Sequence, residues 1–445
     1  MGKLTKRTLF MFSLLDYKAM EEYFEQMQMA AQGWMLEKIE VITAKFRKSE
    51  PQKLKFSVDI FPYISAFDSH ESKSVTEYRE LCEASGWRFV TSSNKFQVFY
   101  AKTDEDPIPI QTDSVVEEKI LRKSIFSSEF LLFLTFFLIF FLSLGSLFPF
   151  DYSKLFTNSG IVSTISNPLL ILPVALYTGY YLLWFWKAKK NIKRGLSLPQ
   201  TSLRAAQLRG NLLVFFTALF IFLYLTAIIA DALGGYTFAL YFLIIPLSGV
   251  AVGLWFRNIV LNKVRSRTKN ILIFAGAILA ITIIFTSFTT SLIISRGTLF
   301  EGIIGMKNEL PDGYAASKLE DFGLKEEPHN TAFMRNSSFI VPTNYEYHEI
   351  STEGVIRTRY YEAINAAIAA YIFDGMLERE GSLLYRSVSA APAEEWNVDR
   401  GYYLKDDSSM LLLLKDKLVI LLDSEFDFSL PETIDAAKSG LDISD

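Results

Sequence analysis

The chain has almost no sulfur or imidazole chemistry, with one cysteine and three histidines in 445 residues. A lone cysteine excludes an internal disulfide framework. Cys82 falls on an expected helix among apolar neighbours and reads as a packed thiol. His329 and His348 stand apart and read as surface residues, not metal ligands. The glycine patterns that cradle phosphates are missing too: there is no GxxxxGK[ST] and no GxGxxG after a strand. Neither a GxSxG elbow, an HExxH pair nor a CxxC is present. No catalytic, cofactor-binding or metal-binding residue is therefore nominated, no cofactor is expected, and the chain reads as a non-enzyme.

Charge of either sign is absent from five long stretches. Phe130–Pro149, Pro168–Trp186, Gly210–Ala230, Ala232–Phe256 and Ile271–Ser295 contain no Asp, Glu, Lys or Arg. Each is long enough to cross roughly 30 Å of hydrocarbon as a helix. Acids are scarce across this whole middle segment. Residues 129–295 carry 13 Lys+Arg against 3 Asp+Glu, while residues 1–128 carry 18 against 19 and residues 296–445 carry 14 against 27. Net charge thus runs −1, +10 and −13 along the chain. The bases cluster in two loops. Lys187, Lys189, Lys190, Lys193, Arg194, Arg204 and Arg209 follow the second run, and Arg257, Lys263, Arg265, Arg267 and Lys269 follow the fourth. The opposite loops hold only Lys154. Short basic loops stay in the cytoplasm, which predicts a multi-pass cell-membrane protein with a cytoplasmic N-terminus and an extracytoplasmic C-terminus. Trp184, Phe185, Trp186, Trp255 and Phe256 abut the basic loops and read as interfacial anchors.

The same absence of charge argues against ion-coupled transport, which needs ionisable groups at mid-membrane. Glu129 and Asp231 lie only at the ends of runs, and Asp231 with Gly234 and Gly235 reads as a tight external turn. Pro173 and Pro246 could kink their helices. Thr282, Thr286, Thr289, Thr290 and Ser291 form a polar stripe better suited to helix packing than to a pathway. The opening MGKLTKRTLFMFSLL imitates a signal peptide but reaches Asp16 without a cleavage site, so it reads as a strand. The MG start lacks Ser or Thr at Lys6 and does not support myristoylation.

What is present in residues 1–103 is a repeat. AAQGWML ends one helix at Gly33–Trp34, and EASGWRF ends another at Gly86–Trp87, 53 residues later. Tyr17, Met20, Phe24, Met27 and Ala31 form the apolar stripe of the first helix. The second begins with a Ser74–Glu77 capping box and buries Val75, Tyr78, Leu81 and Cys82. Each glycine can close its helix in the left-handed conformation. Strands are expected at 8–12, after Trp34, over 54–60, and near 88–91 and 95–101. That order, β-α-β-β-α-β plus one strand, predicts a ferredoxin-like α+β cytoplasmic domain. Residues 104–128 read as a linker and pre-membrane helix, and residues 129–295 as a five-helix all-α transmembrane unit.

QMAAQGW after Asp16-Tyr17, the one-sided strand over 54–60, and the second GW with its hairpin resemble the domain-of-unknown-function 2812 family. The resemblance covers about the first hundred residues. It implies a domain at the cytoplasmic N-terminus of bacterial membrane proteins, mostly from Gram-positive species, and no established catalytic residues. Genes of this family often lie near transcriptional regulators, which implies a regulatory or stress-response role.

Residues 296–445 read as an acidic extracytoplasmic α+β domain. RYYEAINAAIAAYIFDGMLERE predicts a helix with Tyr360, Ile364, Ala367, Ile368, Tyr371 and Ile372 on one face. MLLLLKDKLVILLD predicts a buried hairpin around Asp416-Lys417, and EEWNVDRGYYL and FIVPTNYEYHEI predict strand edges. Asp423, Glu425 and Asp427 alternate but lack calcium-loop spacing. The acidity reads as the solubility charge of an exported surface. The Asn336-Ser-Ser338 sequon matters only in a eukaryotic secretory pathway, which is not expected. Nucleic acid is excluded as a partner because the bases of the first domain are interspersed with acids. The basic loops instead face an anionic leaflet. The expected partners are the lipid bilayer and a protein that binds the cytoplasmic domain. The expected role is regulatory or sensory, with a structural or accessory subunit of an envelope or transport complex as the alternative. A transporter or membrane enzyme comes third.

Overall fold

A computed structural model describes residues 4–28, 33–40, 42–68, 73–105, 107–111, 113–128, 134, 137–138, 141, 151–169, 171–263, 265–294, 307–382, 387–441 and 443. These residues form thirteen strands and eleven α-helices. The chain divides into two compact units. One comprises Met1–Leu142, Pro168–Phe220 and Gly249–Ile281, and the other Ser143–Asn167, Ile221–Ser248 and Thr282–Asp445.

The first unit is built on two β-α-β-β repeats. β1 (Thr5–Leu9), α1 (Tyr17–Gln28), β2 (Trp34–Ile39) and β3 (Thr43–Lys48) make one, and β4 (Leu54–Ile60), α2 (Lys73–Ala84), β5 (Arg88–Ser93) and β6 (Phe96–Lys102) make the other. Each repeat folds its own three-stranded antiparallel sheet in the same order, β1-β3-β2 and β4-β6-β5. The equivalence reaches single residues. The register slips between Leu36 and Lys38 in β2 and at the equivalent place, between Phe89 and Thr91, in β5. Gly86 closes α2 at φ 92°, as the repeat predicted, and Gly33 has φ 52° directly before β2, while the expected end of the first helix lies outside the described residues. A Cβ at Gly33 would stand 2.5 Å from the Ser49 carbonyl oxygen, so only glycine fits there.

The α+β content of this region stands, but the single ferredoxin-like sandwich does not. The strand Thr43–Lys48 escapes a sequence reading because TAKFRK shows only two apolar residues, Ala44 and Phe46, both fully buried. With it each repeat completes a sheet of its own, so no single sheet is required. α2 begins at Lys73, which places Ser74 inside the helix and not before it as a cap.

α1 covers β4 of the other repeat. Its face of Met20, Phe24 and Met27 is buried, and Phe24 bridges Phe10 and Phe56 at ring separations of 5.6 and 5.7 Å. Among the described residues β4 pairs with one strand, β6, and so lies at the edge of its sheet. Glu25 and Glu21 accept the N–H groups of Phe56 and Val58 at 3.2 and 2.9 Å, so two helix carboxylates satisfy the free edge of β4. α3 (Ser114–Ser128) adds Leu121 and Ile125 to the same core.

Among the described residues, three helices are long and apolar enough to cross a membrane: Leu203–Leu233, Thr237–Val260 and Arg267–Ser291. The five-helix membrane unit is corrected accordingly. The run Phe130–Pro149 falls almost wholly outside the described residues, as does Glu129. Most of the second run lies in Ile171–Lys193, which is not among the candidate spans. Tyr181 and Trp184 are buried in the first unit's core, and the Trp184 indole donates to the Pro199 carbonyl at 2.9 Å. Trp184 is thus a core residue and not an interfacial anchor, whereas Trp186 is exposed. Pro246 sits in the first turn of the helix Ile244–Trp255, where a missing N–H breaks nothing, and Pro173 lies within Ile171–Lys193. Of the threonine stripe, Thr289 meets the Tyr241 hydroxyl, while Thr286 bonds back to Thr282 of its own helix.

The second unit holds a seven-stranded antiparallel sheet in the order β10-β11-β12-β13-β9-β8-β7. Its strands are β7 (Asn330–Asn336), β8 (Thr343–Ile350), β9 (Val355–Glu362), β10 (Ser389–Ala390), β11 (Arg400–Tyr403), β12 (Met410–Lys415) and β13 (Leu418–Ser424). β12 and β13 form the expected hairpin around Asp416-Lys417. Their unbroken apolar runs are explained by burial on both faces. Leu412, Leu414, Val419 and Leu421 meet the helix Ala366–Gly381, and Leu411, Leu413, Ile420 and Leu422 meet the helix Pro431–Leu441.

One helix is shorter than its periodicity predicts. Tyr360 belongs to β9, and the helix begins at Ala366, where the Asn365 side chain caps it by accepting the Ile368 N–H at 2.9 Å. Its buried face is Ala369, Ile372, Phe373 and Met376, with Tyr371 exposed. His329 is exposed, and His348 lies in β8 opposite Arg357. Asp423 pairs with Lys405 at 2.7 Å and Asp427 is taken up by Ser429, so the alternating acids do not converge.

Candidate functional site

Polar side chains gather where the β-containing folded parts meet the ends of long helices. In the first unit, Asp16 closes the turn Leu14–Asp16 before α1 and is 1% exposed. A carboxylate buried that deeply needs every lone pair occupied. Ser13 supplies its N–H and hydroxyl to Oδ2 at 3.0 and 2.9 Å. Arg209 and Tyr180 supply Oδ1, at 2.5 and 3.0 Å. The Arg209 guanidinium also stacks on the Tyr180 ring at 3.7 Å, and the Tyr180 hydroxyl meets Thr201 at 2.6 Å. The next residue, Gly210, lies so close to the chain at Met11 that a Cβ would overlap its carbonyl oxygen. A turn before α1 is therefore locked to the first turns of Leu203–Leu233.

A second joint in the same unit uses the loop after β4. Arg267, which opens the helix Arg267–Ile294, grips Asp68 with two bonds of 2.8 and 2.7 Å and the Tyr63 carbonyl at 2.9 Å. Asn270, one turn on, donates to the Phe67 carbonyl at 2.8 Å. The Phe67 ring packs edge-on against Phe256 and Phe274 at 5.8 and 5.6 Å. Burial raises the Asp68 carboxyl, but the Arg267 and Ser65 hydrogen bonds outweigh it and hold the group below its ordinary range.

Within the second unit, Asp231 is fully buried near the end of Leu203–Leu233. It accepts the N–H groups of Asn158 and Ser159 at 2.5 and 2.9 Å, capping the helix Asn158–Leu169 from a distance. Asn158 continues to the loop before β8, donating to the Ser337 carbonyl at 3.3 Å and accepting the Phe339 N–H at 2.9 Å. Ser338 donates to the Leu155 carbonyl at 2.6 Å. Gly234 and Gly235 make the expected turn, with Gly235 at φ 112°. Asp231 is instead a desolvated acid, because helix N–H groups replace the headgroup water expected around it.

A cavity of about 190 Å³ in the first unit is lined by Tyr17, Glu21, Asp59 and Glu117. Tyr17 donates to Glu117 at 2.7 Å, and Tyr78 donates to Asp59. Burial is the largest cause raising the Asp59 and Glu21 carboxyls, and the Tyr17 and Tyr78 hydroxyls are raised for the same reason. Cys82 is buried beside Trp87 and Phe99, and desolvation pushes its thiol up to about 11, which suits a packed thiol and not a nucleophile.

Asp16 and Arg209 are 193 positions apart, and Asp68 and Arg267 are 199 apart, so no local pattern joins them. The only hint in the sequence is that Arg209 and Arg267 border apolar runs where lipid alone could account for their charge. Residues 16–134 match a family model described as a protein of unknown function (DUF2812). The match begins at Asp16 and takes in both acidic members of the first unit's joints. Neither a curated protein nor a solved structure matches the chain.

Proposed function

We propose that this chain, whose N-terminal region carries the DUF2812 match, is a multi-pass bacterial cell-membrane protein that relays a signal. An extracytoplasmic domain would bias a cytoplasmic domain that binds a protein partner. The single observation that carries this reading is the helix Leu203–Leu233. It bears Arg209 near one end, tied to the β-α-β-β repeats through Asp16, and Asp231 near the other, tied to the loop between β7 and β8 through Asn158. Each joint fixes one segment of this helix to the folded part of its own unit. The basic loops support a cytoplasmic N-terminus.

The test is crosslinking and affinity capture from native membranes with the full chain and with Asp231→Ala. A relay predicts that Asp231→Ala changes what the N-terminal domain captures, although the substitution lies far from it in sequence. Unchanged capture by a folded variant would favour a structural or accessory subunit. Substrate-dependent flux in proteoliposomes would favour a transporter.

A further inference from the structure

Where the apolar stretch ending at Trp255 gives way to a π-turn over Phe256–Val260, two adjoining cavities of about 400 and 460 Å³ share Arg79, Ser92 and Arg257. We propose that this groove binds a phosphate ester, the chemistry of an anionic phospholipid headgroup or of a soluble phosphorylated ligand. The volumes lie in the range of small-molecule sites.

The polar lining suits an anion. Arg79 is held as a fixed plate, with Nε on the Gln97 carboxamide oxygen at 3.0 Å, Nη2 on the Ser92 hydroxyl at 3.0 Å, and its guanidinium stacked over Phe89 at 3.9 Å. Arg257 faces the same space, and among the described residues it has no hydrogen-bond or ion-pair partner. Ser93 and Asn94 line the first cavity and Asn258 the second. The two acids that reach the lining are already engaged, Asp68 by Arg267 and Glu37 by Lys45 at 2.8 Å. The surroundings are positive as well. Beside them Lys95 is buried, donating to the Pro62 and Ile64 carbonyls at 3.0 Å, and burial with the nearby Arg267 and Lys123 lowers its pKa. A planar, pre-oriented guanidinium and a second one free to close form the fork that phosphate oxygens select. The π-turn is a local widening of the helix of a kind often found at functional sites.

The test uses the full-length protein in neutral detergent and compares wild type, Arg257→Gln, Arg257→Lys and the control Lys189→Gln. Among the described residues Arg257 makes no bond, so Arg257→Gln should fold, and its unliganded melting midpoint checks this. In one arm, native mass spectrometry counts retained phosphatidylglycerol. In the other, thermal melting is followed against inorganic phosphate at constant ionic strength set with chloride. Arg257→Gln is expected to lose retained lipid or to bind phosphate about tenfold more weakly, with Arg257→Lys recovering part of the loss and Lys189→Gln unaffected. Loss in the lipid arm alone identifies a headgroup site, and loss in the phosphate arm alone identifies a soluble ligand. Equal behaviour of wild type and Arg257→Gln in both arms, or equal loss in Lys189→Gln, overturns the proposal.

Discussion

Asp16 shows how much one carboxylate can organise when burial leaves it no water. Four donors from three residues fill its two oxygens, and one of those donors belongs to a helix that starts almost two hundred residues later. Removing one partner of a buried pair strands the other, so Arg209→Met should destabilise the full-length protein by about 3 kcal/mol. Asp16→Asn should cost less than Asp16→Ala, because an amide oxygen still accepts. Chemical denaturation in detergent, followed by tryptophan fluorescence, measures both. The acids of the β4 cavity behave in the opposite sense to Asp68. Burial raises Asp59 and Glu21 above their unfolded values, so their ionised forms weaken the fold. Their contribution is fully present below the unfolded pKa and is lost as pH rises through the folded pKa. Asp68 is held low, so its contribution is present above its unfolded pKa and lost as pH falls through its folded pKa. Melting midpoints should therefore rise as pH falls from neutral into the range just above ordinary carboxylates, then drop in stronger acid. Asp59→Asn should flatten the rise. A wild-type midpoint that falls steadily from neutral pH would refute this assignment.

At the scale of elements, the duplicated unit was legible because it repeats backbone demands and not only hydrophobicity. Gly33 and Gly86, then Trp34 and Trp87, mark the same left-handed exit into a strand with the same bulge. The strand Thr43–Lys48 was not legible, since its two buried residues sit among four polar ones. The over-long helix at 360–365 failed for a related reason. An alternating strand and a helical stripe can share several apolar positions, and only the cap at Asn365 separates them. The hairpin at Asp416 offers a clean test of turn chemistry. Asp416 sits at φ 48°, a conformation that favours glycine. Asp416→Gly should stabilise the chain by about 0.5–1 kcal/mol in thermal unfolding, less whatever the lost side chain contributed. The Gly33→Ala change should do the reverse, by about 1–2 kcal/mol, because both φ and the Ser49 carbonyl oppose a Cβ.

At the scale of the whole molecule, the sorted charge predicts an orientation that a fused reporter can read. An enzyme tag active only outside the membrane should work when placed after Asp445 and fail when placed before Met1, and the reverse result would invert the proposed topology. Much of the architecture was determined by the sequence alone. Length and apolarity mark helices able to cross a bilayer, a 53-residue spacing marks a duplication, and unbroken leucine runs mark a sheet covered on both faces. These are local or periodic properties, so a linear chain displays them. Only the tertiary structure decided that the second apolar run also contributes to a protein core, where Tyr181 and Trp184 are buried. It alone also decided which charges are structural. Arg209 and Arg267 read as inner-leaflet charge until Asp16 and Asp68 are found against them, and Asp231 reads as a turn acid until two helix N–H groups are found on it. The physical reason is that lipid and protein satisfy the same charge equally well in a one-dimensional reading. Which of them does so depends on a partner brought near by folding.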